Sequence, residues 1–145
     1  RQGLVQDYLD KRMMTREQHI RITYEQHMQT IWNPVVTCVR EINRNNLWKA
    51  ASELEILRKH MVEIAGLRHL EFTQDYHRMH SLPEMFQVQL RHTLPTSVTP
   101  VAIRRALKIT LSMLFAETTL LDEHFGTSYT EKLQDRLTQF VELYS

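Results

Sequence analysis

Apolar side chains at Ile20, Tyr24, Met28, Ile31, Val35, Val39 and Ile42 recur at spacings of three and four, which places them on one stripe of an α-helix. Leu47, Ala50, Leu54, Leu57, Met61 and Ile64 repeat the rhythm. Only Asn43, Arg44, Asn45 and Asn46 separate the two runs, and so short a polar turn forces the helices to lie side by side and antiparallel.

Thr15, with Gln18 three residues on, has the spacing of a capping box, so the first helix is expected to run from Thr15 to about Asn43. Pro34 lies inside it and should bend the axis near Trp32, because its ring clashes and it has no amide hydrogen to donate. Ahead of it, Gly3 to Asp10 is ambiguous between an edge strand and a helical turn. The second helix is expected from about Asn46 to Ala65, with Gly66 as a left-handed terminator. Periodicity fades from Leu67 to His80, which reads as a loop. Ser81, Pro83 and Glu84 open a short third helix through Leu90, and Thr99 before Pro100 is a cap followed by proline at the first helical position. That fourth helix, closed by Gly126, is apolar on more than one face and is expected to be the most buried element. A last helix, capped by Ser128 or Thr130, turns Leu133, Leu137, Phe140 and Val141 inward. The pattern predicts an all-α fold, an antiparallel bundle of about five helices whose first long helix is kinked at Pro34.

At 145 residues the chain is the size of one domain. It starts at Arg1 rather than Met, so residues 1–14 read as a linker or the remnant of a preceding domain, and 15–145 as the bundle. Eighteen basic and seventeen acidic residues, interspersed, give a net charge of +1 and no pull toward nucleic acid or membrane. No apolar run is long enough to span a bilayer. The single cysteine, Cys38, lies in a helical pattern as a small hydrophobe, which fits a cytoplasmic setting.

Candidate chemistry is sparse. Arg40 and Arg44, one turn apart, share a strip with Val36 and Trp32. Their planar guanidinium forks suit phosphate oxygens, and the same strip also reads as a solvated helix end where positive charge is favoured. His69, Asp75, His77 and His80 cluster in the loop with a His-x-x-His pair and a nearby carboxylate, but eight histidines are scattered widely enough that some will be neighbours by chance, and no metal site is expected. Arg21, followed by His27 after five intervening residues, matches the spacing of HEPN-type ribonucleases. Phosphate-cradling glycine loops, paired-aspartate motifs, Cys-x-x-Cys and nucleophile elbows do not occur in the sequence.

The order Trp32-Asn33, Val35-Val36, Arg40, Ile42, Arg44, Leu47 and Ala50, followed downstream by Phe125-Gly126-Thr127-Ser128-Tyr129, resembles the helical C-terminal domain of aminoglycoside nucleotidyltransferases, especially the streptomycin 6-adenylyltransferase type. The likeness runs from about Thr15 to the end. It implies a substrate-binding bundle fused to an N-terminal domain whose carboxylates hold magnesium and ATP, with adenylyl transfer to a hydroxyl-bearing acceptor and a role in antibiotic resistance. It also implies that Arg40, with Arg44 after it, approaches the nucleotide, and that Trp32 and Asn33 stand near the interdomain cleft. Arg40 replaces the family's lysine, Ile31 an aromatic, and Thr30 a drug-binding acid, leaving Glu25 and Glu41 as the nearby carboxylates for the acceptor. Expected partners are a small-molecule acceptor and a nucleotide; family members often pair as homodimers. The alternatives are a free-standing helical module that binds a ligand or protein, and a HEPN-like ribonuclease.

Overall fold

The computed structural model describes residues 2–145, and the side chains of all of these except 2 and 6–15. Six α-helices follow one another: α1 (Gln2–Thr30), α2 (Trp32–Asn43), α3 (Leu47–Arg68), α4 (Glu84–Leu90), α5 (Pro100–Phe125) and α6 (Tyr129–Tyr144). Short 3-10 turns at Gln74–Tyr76, Met79–Ser81 and Arg91–Thr93 join α3 to α5 around α4. Among the described residues there is no strand, and no helix is long and apolar enough to cross a membrane.

The kinked helix is two helices. Helical bonding continues as far as the Ile31 amide, which donates to the His27 carbonyl (3.0 Å), and the axis breaks just before Trp32. Pro34 explains the position, since its nitrogen should have bonded the carbonyl of Thr30, four residues back. Helix α1 does not begin at Thr15. It starts at Gln2, so Gly3 to Asp10 is helical rather than strand, and the Thr15–Gln18 spacing lies inside a continuing helix.

Both stripes are core. Tyr24, Met28, Ile31, Val35, Val39 and Ile42 are buried against Ala50, Leu54, Leu57, Met61 and Ile64. The asparagine corner closes with Asn45 left-handed (φ 57°), Asn46 N–H bonding the Glu41 carbonyl (2.9 Å) and Asn45 N–H that of Ile42 (3.0 Å). This is the Schellman arrangement, and asparagine tolerates its left-handed residue better than most. On the other side of α3 lies α5, tied by Arg68, whose Nε donates to Glu117 at 2.5 Å. Helix α5 is not the most buried element: seven of twelve residues are buried in α2, against eleven of twenty-six in α5. Of the extra apolar positions of α5, Leu120 faces outward while Ile109 and Met113 are half-buried, so they do not make a second fully covered face. Thr99 caps α5 as expected, its hydroxyl accepting from the Ala102 amide (3.3 Å), and Gly126 ends it at φ 68°.

Gly66 has a different role from the one expected. It lies inside α3 with helical torsions, and Leu70 is the left-handed residue (φ 57°) that ends the helix, with Glu71 N–H returning to the Gly66 carbonyl at 2.8 Å. What Gly66 provides is space. A Cβ there would lie 2.0 Å from Thr73 Oγ1 and 2.8 Å from the Glu71 carbonyl oxygen. Thr73 is buried and its hydroxyl donates to the Val62 carbonyl (2.9 Å), so the returning chain is pinned against the helix at this point.

The start of α6 is organised from a neighbouring helix. Ser128, at the cap position, makes no side-chain cap bond. The Asp122 carboxylate of α5 instead accepts from Thr130 N–H (2.8 Å), Thr130 Oγ1 (2.6 Å), Thr127 Oγ1 (2.6 Å) and, from α1, Tyr24 Oη (2.8 Å). Burial alone would raise the Asp122 pKa, but these bonds to its charged form outweigh it and hold the group below the usual carboxylate range. The same environment pushes the Tyr24 phenol up, through burial first and then its bond to Asp122.

Gly66→Ala should destabilise the fold by about 1–3 kcal/mol through overpacking, whereas in an unobstructed helix interior the same change would stabilise by about 1 kcal/mol. Urea melts read the sign directly. Asp122→Asn places an amide where four donors converge and should cost about 2–4 kcal/mol. Because the folded-state pKa of Asp122 is depressed, its contribution is complete above the ordinary carboxylate pKa and is lost as pH falls below it. The gap between wild type and Asp122→Asn in urea midpoint should therefore narrow from pH 6 to pH 3.

Candidate functional site

A cavity of about 450 Å³ opens between the second half of α1, the second half of α3 and the chain that returns after Leu70. Helix α1 contributes His19, Thr23, Gln26, His27 and Thr30, residues that share a helix face by their spacing. Helix α3 contributes His60, Glu63 and Leu67 on successive turns, and Glu71 to Gln74 close the wall. The volume lies in the range of small-molecule sites. The lining combines carboxylates, imidazoles, hydroxyls and amides with the apolar surfaces of Leu67 and Phe72.

Its floor is a linear array. His27 is buried, and its two ring nitrogens face different partners: Nε2 lies 3.1 Å from Glu63 Oε2, and Nδ1 lies 2.8 Å from His60 Nδ1. The two rings meet edge to face with centroids 5.0 Å apart. Hydrogen-bond complementarity assigns the protons. A carboxylate can only accept, so His27 donates from Nε2. With both rings neutral, His27 accepts at Nδ1 and His60 donates from its own Nδ1. His60 keeps Nε2 unprotonated. Burial lowers the His60 pKa, as does the charge of a protonated His27, with Glu63 acting in the opposite direction.

Of the residues selected from the sequence, His27 lines the cavity, and the others are placed elsewhere. Arg40 Nε and Arg44 Nη1 both reach the buried Glu41 carboxylate, at 3.5 and 3.4 Å, and both guanidiniums remain half or more exposed. They stand on α2 near the asparagine corner. Glu25, on α1, pairs with Arg21 (3.1 Å) and does not line the cavity. Trp32 is half exposed and its indole N–H donates to the Gln29 carbonyl (2.9 Å); exposed Asn33 accepts from Thr37 Oγ1 (3.4 Å). Thus Arg40, Glu41 and Arg44 come together, Trp32 and Asn33 follow directly on the α1 end of the cavity, and Glu25 stands apart from both groups. Arg21 and His27 do not converge, since Arg21 turns to Glu25 and His27 to His60 and Glu63. Asp75 is exposed and pairs with Lys59 (3.7 Å), and among the described residues no three His, Cys, Asp or Glu side chains are arranged to hold a metal ion. Cys38 is buried and its thiol is pushed up to about 12, by burial and then by Glu53.

The cavity residues missed from the sequence had one local signal, His60 and Glu63 at a spacing of three on a helix. The partner, His27, is thirty-three residues from His60 and is supplied by packing. Compared with known family models, with curated proteins and with solved structures, the chain matches none.

Because the folded-state pKa of His60 is depressed, the contribution of the neutral ring is complete above the ordinary histidine value and is lost as pH falls through the folded one. Thermal melts should show wild type losing more stability than His60→Gln between pH 7 and pH 5. Equal losses would show that His60 titrates as a free histidine.

Proposed function

We propose that this chain is the substrate-binding helical domain of a nucleotidyltransferase, moving an adenylyl group from ATP to a small hydroxyl-bearing acceptor such as an aminoglycoside. The observation that carries the proposal is the cavity between α1 and α3. It offers to a cationic, polyhydroxylated molecule the second oxygens of Glu63, which pairs with His27, and of Glu71, which pairs with Arg78, surrounded by Thr23, Gln26, Thr30 and Gln74 as hydrogen-bonding groups. Glu63 and Glu71 therefore take the acceptor-binding part that Glu25 and Glu41 have in the reading from sequence. Trp32 and Asn33 follow the cavity wall at Thr30, at the edge where a second domain would meet the bundle.

ATP and magnesium belong mainly to a catalytic domain preceding this one, whose carboxylates would hold the ion. The bundle contributes positive charge. Arg40 and Arg44 share one carboxylate, which leaves several of their N–H donors for phosphate oxygens. Orientation of the acceptor hydroxyl against a held α phosphorus is the catalytic contribution of such a wall, since positioning turns an encounter into an intramolecular step.

A free-standing ligand-binding module is the second reading, and the cavity between α1, α3 and the returning chain is the observation that favours it. In that case acceptor-like molecules bind and nothing is transferred.

In the protein that carries the catalytic domain, Arg40→Ala should lower kcat/KM for ATP about 10- to 100-fold, the loss expected for a charged hydrogen bond of roughly 1.5–3 kcal/mol. The melting temperature should barely change, since the ion pair to Glu41 is solvated on the arginine side and Arg44 remains. Unchanged turnover of ATP removes Arg40 from the site.

A further inference from the structure

We propose that Glu63, His27 and His60 form a proton relay that makes His60 Nε2 the general base for a hydroxyl bound in the cavity between α1 and α3. The inference rests on the transferase reading and specifies which group takes the acceptor's proton. Its basis is the direction of the array. Glu63 fixes the His27 proton on Nε2 (3.1 Å), which makes His27 Nδ1 an acceptor, which fixes the His60 proton on Nδ1 (2.8 Å). His60 is one of the residues lining the cavity, and in this arrangement its remaining nitrogen carries no proton and can accept one.

Depth grades the three groups in the order a relay needs. His27 is buried in the middle, while His60 and Glu63 are both partly exposed at the cavity wall. When His60 takes a proton, the new charge lies against the lone pair of His27, whose own N–H points at a carboxylate. Positive charge is thereby stabilised by a group two bonds away, as an orienting carboxylate does for a catalytic imidazole. The titratable groups facing His60 are His19 and His27 from α1, Glu63 from α3 and Glu71 from the returning chain. Two of these are carboxylates: Glu63 favours the protonated ring once it forms, and Glu71 is paired with Arg78 (3.0 Å).

The step balances. The acceptor O–H bond breaks, its oxygen forms a bond to the α phosphorus of ATP, and the bond from that phosphorus to the bridging oxygen breaks with its electron pair leaving on pyrophosphate. The proton goes to His60 Nε2 and returns to solvent when the product leaves. His60 is the catalytic residue of the proposal, and His27 and Glu63 are positioning residues.

Three measurements test it. Long-range proton–nitrogen NMR spectra of this chain at pH 7.5 should show His60 protonated on Nδ1 and bare on Nε2, and His27 protonated on Nε2. His60 protonated on Nε2 overturns the relay whatever the enzyme does. In the protein with its catalytic domain, adenylyl transfer to streptomycin by His60→Ala should fall about 100-fold or more in kcat, within the range for a lost general base, and added imidazole should restore part of it. Glu63→Gln should move the acid limb of kcat/KM to lower pH, because Glu63 raises the His60 pKa, and should lower the plateau. A purely structural role predicts no rescue and an unmoved limb, and either result overturns the proposal. Absence of adenylyl transfer by the wild-type protein, with the tautomers as stated, overturns the transferase reading and with it the role of His60 as its base.

Discussion

The fold depends on a carboxylate held by hydroxyls and an amide. Asp122 accepts four hydrogen bonds from three places in the chain: Tyr24 in α1, Thr127 in the loop after α5, and Thr130, by both amide and hydroxyl, in α6. Thr130 also donates or accepts across 2.7 Å with Thr118, whose carbonyl accepts from Tyr24 at 3.1 Å. Thr118, Asp122 and Thr130 are buried and Thr127 is partly so, and the desolvation cost is offset only while all of the partners are present, because leaving one out strands another. The cluster also sets the position of α1. Tyr24 stacks on Phe125 and meets Tyr129 edge-on, so the half of α1 that carries His27 is held in register with α5 and α6.

A second constraint builds the cavity wall. Helix α3 ends on Leu70 in a left-handed conformation that costs a leucine roughly 1–2 kcal/mol. Glycine at position 66 lets the chain fold back so closely that Thr73 bonds the Val62 carbonyl. Glu71, Phe72 and Gln74 are thereby brought over the same stretch of α3 that presents His60 and Glu63. Beyond them, buried Arg58 pairs with Glu55 and donates to Thr93 Oγ1 (2.8 Å) and to the Thr93 carbonyl (2.6 Å), while Tyr76 donates to Glu55 (2.6 Å). The irregular segment between α3 and α5 is thus tied to α3 by polar contacts, in addition to the buried Leu82 and Phe86 that it places in the core.

Much of the bundle could be read from periodicity, because a stripe spaced by three and four has one physical solution, burial against another stripe. The paired runs around the asparagine corner, the break before Pro34 and the Thr99–Pro100 start all follow from local chemistry. Gly66 misled because glycine answers two demands, left-handed torsion and close approach, and the chain distinguishes them only once Thr73 is placed beside it. The start of α1 was missed because a capping-box spacing does not exclude a helix already under way. The site was the least legible part. His27 was noticed for its distance from Arg21, whereas its partners are His60 and Glu63, and no local pattern encodes which face of α1 meets which face of α3. Arg40 and Arg44 were legible as a pair and are a pair, brought together on one carboxylate.

The functional account therefore rests on one volume and the groups around it, and binding in that volume is the property to measure. Titrating the isotopically labelled chain with streptomycin and following backbone and imidazole resonances would locate the ligand. Saturable shifts should concentrate at His19, His27, His60, Glu63 and Glu71. Shifts confined to other surfaces, or none up to millimolar ligand, would contradict it.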